Sequence, residues 1–201
     1  MQASRAKSLL VWSALISALF VPVVLAMNSP LLAWRDPIYI FAGISGVLGF
    51  CVLLLQPLLA SAALPHVTVR TGRRLHRWLG AALTILVFLH VTALWITSPP
   101  DVVDALLLRS PAPFSLWGVI AMWALFGTAV LALVRRRLRI RPRLWRAAYG
   151  CFATLIVGGS ILHALLIEGT MEPVSKALLC VCVAIAAFFA LRKSLSKTQI
   201  R

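Results

Sequence analysis

Residues 73–97 read RRLHRWLGAALTILVFLHVTALWIT. Arg73, Arg74, His76 and Arg77 crowd the first five positions, and 78–97 then carries no formal charge. Twenty helical residues rise about 30 Å, the thickness of a bilayer's hydrocarbon core. Trp78 and Trp95 stand near the two ends, where amphipathic rings sit at a membrane interface. One ionisable side chain, His90, lies deep inside the run. The stretch reads as a basic foot, a spanning helix and an imidazole within the membrane.

The same reading extends outward. Apolar runs recur at 9–27, 38–64, 115–134, 147–167 and 171–191. Each supplies the roughly 20 residues a crossing needs. The chain is 61% hydrophobic and 12% charged, against about 45–50% and about 25% in soluble domains. A soluble fold of this size has no interior large enough for that apolar surface. The expected fold is all-α: a six-transmembrane-helix bundle forming one domain over 1–201, with no soluble flavin or nicotinamide domain. Trp12, Trp34 and Trp117 add to the interfacial anchors, and Lys176 can snorkel from the start of the sixth span. Gly43, Gly46 and Gly49 read as close-packing positions on the second span. No internal repeat is convincing.

Orientation follows from the basic residues. One set of ends holds Arg5, Lys7, Arg70, Arg73, Arg74, Arg77, Arg135, Arg136, Arg137, Arg139, Arg141, Arg143, Arg146, Arg192, Lys193, Lys197 and Arg201. The other holds only Arg35, Arg109 and Lys176, with all the acids: Asp36, Asp101, Asp104, Glu168 and Glu172. Both termini are therefore expected on the cytoplasmic side of a multi-pass protein of the cell inner membrane. The net charge of +15 is clustered between apolar runs, which argues for lipid contact and against nucleic acid. The first run imitates a signal peptide, but its apolar part is long for one, so a retained helix is expected. Cys51, Cys151, Cys180 and Cys182 lie within apolar runs and read as buried small residues. The chain contains no C-x-x-C-H, so c-type haem attachment is excluded.

Ionisable groups inside a membrane helix mark function by default. His66, beside Pro65, falls in a loop. His76 and His90 are two heptads apart on nearly one face of the third span, separated by about 21 Å along the axis. His163 lies in the fifth span, at a depth similar to that of His90. Two imidazoles at one depth on two parallel helices can clamp one metal, and helix bundles hold haem this way. The plainer reading is a hydrogen bond between helices. Gly158, Gly159 and Ser160, just before His163, leave room for a macrocycle. Iron–sulfur ligation lacks grouped cysteines, and a structural zinc site lacks its remaining ligands.

The stretches Arg73-Arg74-Leu75-His76-Arg77-Trp78-Leu79-Gly80 and Leu89-His90-Val91 resemble the third helix of ferric reductase-like transmembrane domains. Leu55-Gln56-Pro57-Leu58-Leu59 is similar to the second. Trp145-Arg146-Ala147-Ala148-Tyr149-Gly150 and Leu162-His163-Ala164-Leu165-Leu166 are similar to the fifth. The family includes NADPH oxidases, STEAP metalloreductases and the haem-binding subunit of a periplasmic methionine sulfoxide reductase. The resemblance implies b-type haem carrying electrons outward across the membrane. His90 and His163 would ligate an outer haem iron. His76 would serve an inner cofactor, opposite a residue 14 positions before His163. That residue is Tyr149, where the family motif reads histidine, so one haem per chain is expected. In STEAP-like relatives a flavin occupies the inner half.

The resemblance implies a haem b electron-transfer protein, an oxidoreductase component of ferric reductase-like type. A cytoplasmic flavin- or nicotinamide-dependent reductase would donate electrons, with a flavin on that side as a further cofactor. Ferric iron or a periplasmic redox protein would accept them. The alternatives are the haem-binding membrane subunit of a methionine sulfoxide reductase system and, from another class, a non-redox scaffold or transporter. Transporters show repeats and broken helices with midplane polar groups, and those signals are weak here. Reporter fusions after Arg77, Arg141 and Lys193 are expected to read cytoplasmic, and one within 99–111 external. An external signal after Arg141 would break the six-span reading.

Overall fold

A computed structural model describes residues 2–135, 137, 139 and 141–199, without the side chains of 2–4 and 194–199. Arg136, Arg201 and the side chain of Lys197, all part of the basic set, lie outside the described residues. The elements are α1 (Gln2–Met27), a 3-10 turn (Pro30–Leu32), α2 (Pro37–Ala60), α3 (Val69–Thr97), α4 (Pro99–Leu106), α5 (Pro113–Val134), α6 (Pro142–Leu166) and α7 (Pro173–Gln199). Six of them are long and apolar enough to cross a membrane. These are the expected spans, as α1, α2, α3, α5, α6 and α7. The short α4 was not expected. It follows α3 after one residue, because Pro99 and Pro100 cannot continue a helix but can start one.

Helix starts follow local chemistry. Proline occupies the first position of α2, α4, α5, α6 and α7, where its missing N–H is no loss. The Asp36 carboxylate accepts from Ile38 N at 2.7 Å, and the Thr68 hydroxyl accepts from Thr71 N at 3.2 Å. Glu172 caps α7, accepting from Ser175 N and Val174 N. Those bonds favour the charged carboxylate and hold its pKa below the ordinary value.

Two hairpins form the body: α2 packs along α3, and α5 along α6. α7 lies against α2 and α6, and α1 against α2 and α7, while α3 touches α5 only lightly. The buried stripe of α7 runs through Ser175, Lys176, Leu179, Cys180, Val183, Ala186 and Ala187, a helical face turned inward. α1 contributes Leu15 and Ala26 to the core, and its Leu19 carbonyl accepts from Cys51 Sγ at 3.5 Å. Large apolar side chains such as Leu9, Phe20, Trp78, Phe88, Leu133 and Phe188 face outward. That surface suits lipid. Of the cysteines, Cys51 and Cys180 are buried and Cys182 partly so; Cys151 is exposed on α6, contrary to expectation.

Small residues set the hairpin spacing. A Cβ on Gly159 would stand 2.8 Å from the Trp117 carbonyl and 3.1 Å from Ala121 Cβ. Gly159 is therefore a contact between α5 and α6, whereas Gly158 meets nothing within 4 Å. Gly159→Ala is expected to destabilise the protein by about 1–3 kcal/mol through overpacking. Gly158→Ala is expected to be neutral or slightly stabilising. Thermal unfolding in detergent, followed by circular dichroism, compares the two. Equal melting temperatures would place the hairpin contact elsewhere.

Candidate functional site

His90 projects from α3 onto α2. Its Nδ1–H donates to the Ala42 carbonyl at 2.7 Å. In a helix that carbonyl already accepts from residue 46, and the side chain there would shield its second lone pair. Residue 46 is glycine, and a Cβ on it would lie 3.0 Å from His90 Nδ1. His163 repeats the device on the other hairpin. Its Nδ1–H donates to the Phe114 carbonyl at 2.9 Å, and a Cβ on Gly118 would lie 2.6 Å from Nδ1. In both cases a carbonyl at position i is opened by glycine at i+4.

A carbonyl only accepts, so both Nδ1 atoms carry the proton and both Nε2 atoms keep a lone pair. A histidine poised to bind metal is fixed in this way, its other nitrogen donating to a carbonyl. The two rings lie 6.4 Å apart, centre to centre, with planes at 84°. Two metal–nitrogen bonds of about 2.0–2.1 Å, with the remaining distance to each ring centre, span about 6.5 Å. Among the described residues no group of three or more His, Cys, Asp or Glu converges. The pair offers two nitrogens, the number a macrocyclic metal leaves to its protein. The donor set and spacing would therefore suit a haem iron, with His90 and His163 as the residues that would hold it.

His76 is arranged differently. Its Nε2 is 2.8 Å from the Tyr149 hydroxyl, and its Nδ1 is 3.2 Å from the Gln56 carbonyl. With its amide nitrogen toward the ring, Gln56 donates to Nδ1 at 2.8 Å while its side-chain oxygen accepts from Gly80 N at 3.1 Å. A metal between two ligands holds them about 4 Å apart, so the His76–Tyr149 pair is closed by its own hydrogen bond. The Trp145 ring stacks on Tyr149 at 5.7 Å, and the Arg135 guanidinium lies 4.4 Å above Trp145. A ladder of Arg135, Trp145, Tyr149 and His76 thus starts at the arginine-rich end. His66 sits exposed in the α2–α3 loop in a left-handed conformation, φ 61°, apart from the other three histidines.

The spacing named all three interior histidines, but not the groups that hold them. Gly46 was read as general packing, and Gly118 was not singled out. The signal existed: Gly46-Val47-Leu48-Gly49 and Gly118-Val119-Ile120-Ala121 match, each preceding a Leu-His pair, Leu89-His90 and Leu162-His163. The hairpins are thus two copies of one device, which the bare sequence did not make convincing. A groove of about 250 Å³ runs along the loose α3–α5 seam beside His90, lined by Phe88, Val91, Trp95, Met122, Trp123 and Phe126 among others. Neither imidazole lines it.

Residues 45–160 match the family described as ferric reductase like transmembrane component. The chain belongs to that family. The match covers more than half of this ferric reductase-like protein, taking in Gly46, His76, His90, Gly118 and Tyr149 and ending three residues before His163. Comparison with curated proteins and with solved structures gives no match. Membership and the six apolar helices make this a multi-pass membrane protein of an electron-transfer family.

Tyr149→Phe removes the partner of His76 Nε2 while keeping the ring on Trp145. A loss of about 1 kcal/mol is expected, the usual net worth of one such bond. Chemical or thermal unfolding in detergent measures it. An unchanged midpoint would show that the bond contributes nothing in the folded protein.

Proposed function

We propose that this ferric reductase-like protein is a membrane electron-transfer component holding one b-type haem between His90 and His163. One observation carries the reading: both imidazoles are fixed by carbonyls through Nδ1, leaving two Nε2 lone pairs at a ring spacing of 6.4 Å. Bound haem would supply one-electron redox chemistry at a depth set by the two helices. The protein's own work is to keep both ligands neutral, oriented and shielded from bulk water. The hairpins do this with Ala42, Gly46, Phe114 and Gly118.

The excess of basic residues at one end supports placing that end, and both termini, in the cytoplasm of a cell with an inner membrane. An electron donor would dock there. Exposed Arg70, Arg73, Arg74, Arg77, Arg143 and Arg146 offer a field that attracts an acidic reductase face or a flavin phosphate. Their proximity to anionic lipid headgroups is the same electrostatic asset. The ladder from Arg135 to His76 leads inward from that surface. The acceptor would meet the opposite end, as ferric iron or a periplasmic redox protein. The chain 1–201 would act as one unit, with α1 retained, as its packed Leu15 and Ala26 support. The hydrogen bond closing His76 against Tyr149 supports a single haem; His76 then positions the inner half without holding iron.

His90→Ala and His163→Ala are each expected to abolish stable haem binding, since each removes one axial ligand of the same iron. His66→Ala should leave the spectrum unchanged. His76→Ala should keep the haem but slow its reduction from the basic end. Haem-to-protein stoichiometry with a reduced-minus-oxidised spectrum tests all four variants, with about one haem expected in the unaltered protein. Full haem in His163→Ala with loss in His76→Ala would redraw the ligand pair. Two equivalents with distinct midpoints would show an inner site that opens.

A further inference from the structure

Lys176 is the one charged side chain buried among the described residues, at 9% exposure. It sits on the inward stripe of α7, one turn from the fully buried Leu179. Its Nζ donates to the Ile167 carbonyl at 2.8 Å. An ammonium has three N–H donors, and that carbonyl takes one. No carboxylate among the described residues is bonded to it. Glu172, a turn earlier, uses its two oxygens on Val174 N and Ser175 N. A largely buried ammonium with N–H donors to spare is a ready partner for a negative group.

Its place bears on which negative group would meet it. Ile167 caps the end of α6, and its N–H donates to the His163 carbonyl at 3.1 Å, so the residue whose carbonyl holds the Lys176 ammonium lies about one helical turn, roughly 6 Å, beyond His163. The same connection reaches across to α2, where Thr170 packs on Gly43, next to the Ala42 whose carbonyl holds His90. The segment 167–176 therefore roofs the His90–His163 pair at the end away from the arginines. The other basic residues of that end, Arg35 and Arg109, are exposed.

We propose that Lys176 binds a carboxylate of the ligand held by His90 and His163, namely a haem propionate. This rests on the haem reading above. The contact would fix which edge of the macrocycle points to the roof and place the propionates toward the acidic end. Lys176 is then a binding residue whose bond to Ile167 aims it.

The test titrates apoprotein in detergent with haemin and with haemin dimethyl ester, whose propionates are blocked, following the Soret band. Unaltered protein should bind haemin at least about tenfold more tightly than the ester, the size expected for a charged hydrogen bond. Lys176→Met should remove that preference by weakening haemin alone, and Lys176→Arg should restore it. Equal weakening toward both ligands would make Lys176 a cap for α6 and overturn the proposal, as would no weakening at all. Should Lys176→Met fail to fold by circular dichroism, equal affinity of the unaltered protein for haemin and ester overturns it alone. Failure of the unaltered protein to bind either ligand, or binding unaffected by His90→Ala and His163→Ala, would sink the haem reading instead.

Discussion

The candidate site depends on a constraint of apolar surroundings: an imidazole placed there must give its N–H to something. In this chain the acceptors are helix carbonyls, Ala42 for His90 and Phe114 for His163. Each carbonyl is reachable because glycine stands four residues on. The two hydrogen bonds bind α3 to α2 and α6 to α5, and they fix the tautomer of both rings. Helix pairing and ligand readiness are therefore the same interaction. A side chain at Gly46 or Gly118 would disturb both at once.

The doubling of the device gives the bundle its logic. Each hairpin brings one histidine with its Nδ1 occupied, and the rings meet 6.4 Å apart. The loose seam between α3 and α5 contrasts with the tight pairing inside each hairpin. A bundle built from two stiff halves can hold a rigid planar group between them without remodelling either half. α7 and α1 close the far side, with Leu179 and Val183 wholly enclosed.

At the arginine-rich end the chemistry changes. The residue 14 positions before His163 is Tyr149, and it bonds to His76 directly. A hydroxyl and an imidazole can satisfy each other at hydrogen-bond distance, so that level closes on itself. The level of His90 and His163 has no such option: two imidazoles each protonated at Nδ1 present two lone pairs, and two acceptors cannot pair without something between them. The same two hairpins thus carry one closed level and one level that calls for a partner.

Much of the fold was written in the sequence. Apolar runs of about 20 residues determine six helices, because a backbone in lipid must satisfy its own polar groups. The distribution of arginines separates the two ends, and proline at five helix starts fixes where those helices begin. The interior histidines were legible too, since an ionisable group in such a run stands out. Tertiary structure alone decided the rest. It chose Ala42 and Phe114 as the acceptors, gave Gly46 and Gly118 their purpose, closed His76 on Tyr149 and turned Lys176 inward where snorkelling to the interface was expected. Each of these depends on which helix faces which and in what register. Periodicity along one helix does not carry that information, because any apolar face packs acceptably against any other until a polar group must find its partner.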